Sequence, residues 1–342
     1  MTKLLIITQK VDENDQLLGF FIPWLQRFAT HFSKVHILCL EKGKVDLPSN
    51  IEVHSLGKDS GNSKIQQLLR FYRLIYQLRD SYDAVFVHMN PIWVVVGGIW
   101  WHLLDKKIYF WYTHKAITFK LRLAEFFADI IFTASPESFR LPSKKVIVTG
   151  HGIDTDLFIP NSVQNPEPLS LLTVGRIAPV KNYEVLVDAI KLLNDPRFKV
   201  TVVGEAALKG DKDYEQKLHN DINQQGLSSQ FMFRGKIKNQ DLVLVYQAHS
   251  IFIHMSKTGS VDKALLEAMA CGIKVISSND SARAFLPAQS IFNENDAQDL
   301  ADKIKLAAEG SVLPEMRDYV VDHHNLDKLI DLISLRLQSH RS

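Results

Sequence analysis

Apolar residues fall along the chain in short dense runs separated by longer amphipathic stretches. The runs Lys3–Gln9, Val35–Leu40, Ile51–Ser55, Ala84–His88, Lys107–Thr113, Ile130–Ala134 and Val146–Thr149 predict short buried strands. Phe20–Phe32 and Lys64–Leu78 place apolar residues at helical spacing and predict helices between them. The loop Ile159–Pro168 holds three prolines, and after it the alternation starts again. There, Leu171–Val174, Val200–Val203, Phe231–Phe233, Ile251–His254 and Val275–Ser277 read as strands, with a helix from Asn182. This alternation predicts an α/β fold of two Rossmann-like halves, each a parallel sheet covered by helices, joined near residue 160. Such halves are expected to face a cleft that takes the ligand at the carboxyl ends of the strands.

Composition narrows the reading. A chain of 342 residues fits two domains at roughly 100–200 residues each. With 46% hydrophobic and 23% charged residues, it is neither a disordered tail, a collagen repeat nor a coiled coil. The net charge of +2 gives no charge excess that would suggest a dedicated nucleic-acid binder. Residues 1–160 carry 19 basic and 15 acidic groups and the remainder 21 and 23, so the first half is mildly basic. Cys39 and Cys271 lie in apolar segments and match no metal spacing, which predicts buried thiols in a reducing compartment. The N-terminal apolar run Leu4–Ile7 is shorter than the roughly seven to fifteen residues of a signal-peptide core. Pro91–Leu104, PIWVVVGGIWWHLL, falls short of the roughly twenty residues that span a bilayer and predicts a buried helix on a sheet. A cytoplasmic protein is expected, with peripheral contact to the inner leaflet left open.

Neither strand-to-helix loop carries the G-x-G-x-x-G of a dinucleotide site. The second loop, GRIAPVKN, is more informative. Gly175 permits a tight turn, and Arg176 and Lys181 put two cations just before a helix start, an arrangement that suits a diphosphate. Solvated loop cations are the bland alternative. The segment Thr258–Gly272, TGSVDKALLEAMACG, reads as a short apolar helix with Ser260 as N-cap and Gly272 as its stop. Lys263 and Glu267 stand at i, i+4 on one face, about 5–6 Å apart. They form either a self-sealing ion pair or a ribose site (Glu267) next to a phosphate site at the helix start.

TVGRIAPVKN followed by ALLEAMACG resembles the donor-binding half of glycosyltransferase family 4, retaining enzymes of the GT-B fold. The segments YDAVFVH, YTH, ADIIFTAS, GHGIDTDLF and FRGKI fit its landmarks in order, so the resemblance covers nearly the whole chain. It implies an acceptor domain over residues 1–160, a nucleotide-sugar donor domain over 161–325, and a C-terminal helix (326–342) packing back on the first. It further implies that Arg176 and Lys181 bind and stabilise the leaving diphosphate and that Glu267 holds the ribose. Backbone around Lys236 and Ile237 would read the base, and His114 would face the transferred sugar. Gly19 would lie near the diphosphate, although its loop lacks the family's usual glycine pair. The implied reaction is same-face transfer from a nucleotide-diphosphate donor, a UDP-sugar ahead of a GDP-sugar, to a glycan or lipid-linked acceptor. No cofactor and no metal are expected.

One departure is plain. The family's Glu-x7-Glu pattern would put its first acid at Gly259, and GSVD replaces the usual E-G-F-G. Asp262 is the candidate substitute for contacts to sugar hydroxyls, and Lys263 for a phosphate. Two rival readings follow: a GT-B protein that binds sugar nucleotide or a partner without transfer, and a sugar-nucleotide epimerase or hydrolase of the same fold. Of the histidines, His88 and His114 end strands on the side where such sites form. His151 reads as shaping the interdomain loop, and His323–His324 as capping or surface residues. The segment Lys64–Arg79 carries Lys64, Arg70, Arg73 and Arg79 with no acid among them, and an apolar stripe of Ile65, Leu68, Leu69, Tyr72, Ile75 and Tyr76. With the aromatics Trp100, Trp101, Phe110 and Trp111, it suggests an anionic membrane surface as a partner.

Overall fold

A computed structural model of the chain describes residues 2–15, 17–161, 169–257, 260–309 and 316–339. The chain divides into two compact units, Met1–Gly152 with His324–Ser342, and Ile153–His323. The divisions fall at Gly152 and His323, where the sequence suggested 160 and 325. The physical reason is that Ile153 and Phe158 are buried in the core of the second unit, while His324 is buried in the first.

The first unit contains β1 (Lys3–Val11), α1 (Phe21–His31), β2 (Lys34–Lys42), β3 (Ile51–Ser55), α2 (Lys64–Gln77) and β4 (Ala84–His88). It continues with α3 (Pro91–Leu103), β5 (Lys107–Trp111), α4 (Phe119–Phe127), β6 (Ile130–Thr133) and β7 (Val146–Val148). Its seven strands are parallel in the order β3-β2-β1-β4-β5-β6-β7. Alternation along β1 explains why both faces are covered. Leu4 and Ile6 enter one core layer with Phe21, Trp24 and Phe28, whereas Leu5 and Ile7 enter the other with Phe71, Ile75 and Trp93.

The second unit contains β8 (Ser170–Val174), α5 (Tyr183–Leu193), β9 (Lys199–Val203), α6 (Lys209–Gln224), β10 (Phe231–Phe233) and α7 (Leu242–Gln247). Next come β11 (Ile251–His254), α8 (Lys263–Ala270), β12 (Lys274–Ser277), α9 (Ala297–Ala308) and α10 (Arg317–His323). Its sheet is parallel in the order β10-β9-β8-β11-β12. In both sheets the order of addition of strands reverses beside the first strand, between β1 and β4 and between β8 and β11. Those are the switch points where ligands of open α/β sheets bind. Arg317 fastens the start of α10, donating to the carbonyls of Phe158, Ala270 and Thr155 at 2.6–2.9 Å.

The final helix α11 (Leu326–Gln338) returns to the first unit. Leu326, Leu329, Ile330 and Ile333 join the core beside α1, and Arg27 reaches Asp327 at 2.6 Å. His324 is buried, where the sequence suggested a capping or surface residue, and its Nδ1 accepts from the His151 N–H at 3.1 Å.

Two expectations about apolar surface need correction. Trp101, Phe110 and Trp111 are core residues, because their strand and helix faces look into the sheet layers, and only Trp100 of that aromatic set is exposed. α3 buries Trp93, Val94 and Trp101 but leaves Ile99, Trp100 and Leu103 outside, so it is half-buried. Cys39 and Cys271 are buried free thiols, and burial pushes the Cys39 thiol up to about 12.

Candidate functional site

The switch point of the second unit gathers most of the residues singled out above. At the end of β8, Gly175 has φ +154°, and a Cβ there would lie 3.2 Å from Lys181 Cε. Glycine therefore lets the lysine side chain lie against the strand end. Lys181 closes a short 3-10 turn, Pro179–Lys181, and Asn182 follows in the left-handed region before α5 begins. Arg176 leaves the same loop in another direction, its Nε 3.3 Å from Asp211 Oδ2 near the start of α6.

From the neighbouring strand β11 comes a residue that the motif reading passed over. His254 is buried, with Nδ1 2.9 Å from Ser277 Oγ and Nε2 3.0 Å from Asp262 Oδ2. The same Asp262 oxygen accepts from Lys181 Nζ. Ser277, His254, Asp262 and Lys181 thus form, in that order, one hydrogen-bonded line across the switch point. Burial alone would push the Asp262 carboxyl up, but the Lys181 charge and the His254 bond hold it well below the usual carboxylate range. A signal did exist, since His254 ends its strand as His88 ends its own.

Asp262 is also the N-cap of α8, in the position predicted for Ser260. Its side chain makes no capping bond to the helix because the ion network takes it. Ser260 still belongs to the cluster: its carbonyl accepts from Asn279 Nδ2 at 3.1 Å, and Asn279 N donates to Ser277 Oγ at 3.1 Å. Gly259 lies outside the described residues. Gly272 follows the helix with φ +73°, as a C-terminal stop requires.

One turn along α8, Glu267 is 5% exposed. Its Oε1 accepts from Asn239 Nδ2 at 3.2 Å and its Oε2 from the Tyr246 hydroxyl at 3.0 Å. Burial pushes this carboxyl up, with Lys263, Tyr246 and Asn239 pulling the other way, and the same burial pushes the Lys263 ammonium down against the pull of Glu267. Each Glu267 oxygen holds one donor and retains a second acceptor site, which matches the demand of two vicinal hydroxyls. Asn239 opens the short turn two residues after Ile237, so the predicted base-reading loop and the predicted ribose acid are joined through one hydrogen bond.

The first unit holds His114 and Gly19. His114 is exposed after β5, and its Nδ1 accepts from the Ala116 N–H at 3.1 Å, so a neutral ring carries its proton on Nε2. A Cβ on Gly19 would lie 2.6 Å from the Asp15 carbonyl oxygen, which gives this glycine a steric role in closing its own loop. His88 is buried, 3.2 Å from Thr8 Oγ1 and stacked on Phe21 at 4.0 Å.

Residues 154–323 match the family described as Glycosyl transferases group 1, and the chain carries a domain of that family in the unit that holds Arg176, Lys181, Asp262 and Glu267. Among curated relatives, mannosylfructose-phosphate synthase of Agrobacterium fabrum is 24% identical over 168 residues, 43% of this chain and 37% of that one. D-inositol 3-phosphate glycosyltransferase of Streptomyces bingchenggensis is 33% identical over 117 residues, 32% and 26% of the two chains. The match spans less than half the length of either relative. Solved structures are similar over the whole chain. HepE of Anabaena, in complex with UDP and glucose, has a TM-score of 0.78 at 19% identity, covering 99% of this chain and 100% of that one. Sucrose-phosphate synthase from Thermosynechococcus elongatus has 0.79 at 16% identity, covering 99% of each. The fold is α/β with two Rossmann-like domains, that of the GT-B glycosyltransferases.

Proposed function

We propose that the protein is a retaining glycosyltransferase that moves a sugar from a nucleotide-diphosphate donor, a UDP-sugar in the first instance, to a glycan or lipid-linked acceptor. The observation that carries this reading is the single cluster at the β8/β11 switch point, where Lys181, Asp262 and His254 are bonded together at the start of α8 and Glu267 stands one turn along it. Arg176 and Lys181 each have donors beyond those used on Asp211 and Asp262, so both can turn N–H groups to a diphosphate and stabilise charge developing on the leaving oxygen. In this reading no metal is needed for that neutralisation. Glu267 takes the ribose hydroxyls, with Asn239 and Tyr246 fixing the carboxylate. The UDP, glucose and UDP-glucose complexes of HepE support a uridine donor.

Incubation with a panel of UDP- and GDP-sugars, with and without acceptors, tests the reading. Nucleotide released only with an acceptor is the expected result. Release without acceptor makes the protein a hydrolase, and binding without release makes it a sugar-nucleotide-binding protein. Glu267→Ala should weaken UDP binding yet spare inorganic pyrophosphate, and equal loss of both would make Glu267 structural.

The acceptor side of the proposal rests on the outer face of the first unit. α2 buries Phe71 and Ile75 but leaves Ile65 (72% exposed), Leu69 and Tyr76 outside beside Arg70 and Arg73. Tyr72 and Trp100 bring α2 against α3, and Phe127 brings α4 against the same helix, adding exposed Ile99, Trp100, Leu103, Phe119 and Phe126. Apolar residues this large among cations suit an anionic lipid surface, which would present a lipid-linked acceptor. No helix among the described residues is long and apolar enough to cross a membrane. Co-sedimentation with anionic vesicles should fall with salt and vanish in Arg70→Glu/Arg73→Glu. A wild type that ignores such vesicles at low salt would leave a soluble acceptor.

A further inference from the structure

Away from the donor site, the outer edge of the first unit's sheet brings together three groups of metal-ligand type. The β2/β3 register pairs His36 with Glu52 and Leu38 with His54. Residues paired across a parallel ladder, and residues two apart on one strand, point to the same face. His36, Glu52 and His54 therefore share one face. Their ligand atoms lie close: His36 Nδ1 to His54 Nε2 is 3.3 Å, His54 Nε2 to Glu52 Oε1 is 3.5 Å, and His36 Nδ1 to Glu52 Oε2 is 3.6 Å. One candidate ligand atom from each of the three lies within 4.8 Å of the other two.

Those separations have a chemical meaning. Zinc bound by nitrogen at about 2.0–2.1 Å in a tetrahedron puts its ligands roughly 3.3–3.4 Å apart. The three distances sit on or slightly above that edge length, so each group would move by only a few tenths of an ångström. Two imidazole nitrogens at 3.3 Å cannot both carry protons, and the tautomers with protons on His36 Nε2 and His54 Nδ1 turn both lone pairs inward. Lys34 Nζ stands 3.2 Å from Glu52 Oε2, and a carboxylate has enough lone pairs to keep that contact while ligating.

We infer that His36, His54 and Glu52 form a Zn2+ site that clamps the edge strand β3 to β2, with water as the fourth ligand. Two imidazoles and a carboxylate are the ligand set borderline divalent zinc prefers over the hard cations Mg2+ and Ca2+. A role in tying down an edge strand fits its place in the order β3-β2-β1, where β3 has a partner on one side only. The inference is independent of the transferase reading.

The test uses the full chain, stripped with chelator and titrated with Zn2+ against a chromogenic competitor. One equivalent should bind in the wild type. His54→Ala and Glu52→Gln, at a half-buried and an exposed position respectively, should weaken it by more than about 100-fold and by about 10-fold. Zn2+ should raise the melting temperature of the wild type and leave that of His54→Ala unchanged, and Co2+ should show the visible bands of a tetrahedral ion only in the wild type. Equal zinc uptake by wild type and His54→Ala, or no uptake by either, would overturn the site and leave a His–His–Glu hydrogen-bonded cluster.

Discussion

His88 and His254 occupy equivalent stations. Each ends the strand across the switch point of its sheet, β4 beside β1 and β11 beside β8, and each is buried. Around His88 the neighbours are rings: Phe21 stacked at 4.0 Å, Phe20 and Trp24 at 6.2 and 6.1 Å, with one hydroxyl from Thr8. Around His254 they are polar and charged, Asp262 with Lys181 on one nitrogen and Ser277 on the other. One topology and one residue type thus serve two purposes. The aromatic setting fixes a ring by packing, while the ionic setting keeps the Asp262 carboxylate charged where burial alone would push its carboxyl up.

The sharpest way to break that contrast is to remove the packing. Phe21→Ala should destabilise the first unit by about 3–5 kcal/mol. All five tryptophans, Trp24, Trp93, Trp100, Trp101 and Trp111, lie in that unit, so their fluorescence during denaturation reports it alone. His254→Ala should leave that transition in place. A Phe21→Ala protein with an unmoved tryptophan transition would mean that His88 is not held by its stack.

On the ionic side, Arg176→Ala and Lys181→Ala should each lower kcat/KM by about 2–3 kcal/mol of transition-state stabilisation, read from steady-state kinetics with the best donor of the panel. Full turnover in either variant would remove that cation from the diphosphate site. Lys181→Ala should in addition lose stability, because Asp262 would stay behind with His254 but without its cation.

Acid should expose the same network. The Asp262 carboxyl titrates below its unfolded value, so its contribution is complete above about pH 4 and is lost as pH falls below that. Asp262→Asn should cost on the order of 1–2 kcal/mol near neutrality and flatten the acid limb of the stability curve. An unchanged acid limb would mean that Asp262 is not held ionised by Lys181 and His254. The smallest effect is expected from Gly259→Glu, which restores an acid at the family's position. Turnover should not rise, because Asp262 already occupies Lys181, and a gain would show that this loop had merely lost its acid.

Among the described residues the twelve strands and the restart of the pattern after residue 160 were legible because central parallel strands buried on both faces write themselves as apolar runs. The edge strands β3 and β7, read from the sequence as buried, and β10 hold no fully buried residue because each has a neighbour on one side only. Gly175, Arg176, Lys181 and Glu267 were legible for a related reason. A glycine turn followed by cations at a helix start, and a lone acid in an apolar helix, are local departures from a packing pattern. What tertiary structure alone decided are the partners. Asp262 meets Lys181 across 81 residues and His254 across eight, and Glu267 meets Tyr246 from another helix. His36 meets His54 only because β2 and β3 pair in one register. Exposure was equally out of reach: Trp100 and Trp101 are neighbours in sequence, yet one faces outward and the other fills the core. Chain order specifies which groups exist and the period on which they fall, whereas partnership and burial depend on which strand lies next to which, and that is set by the whole sheet.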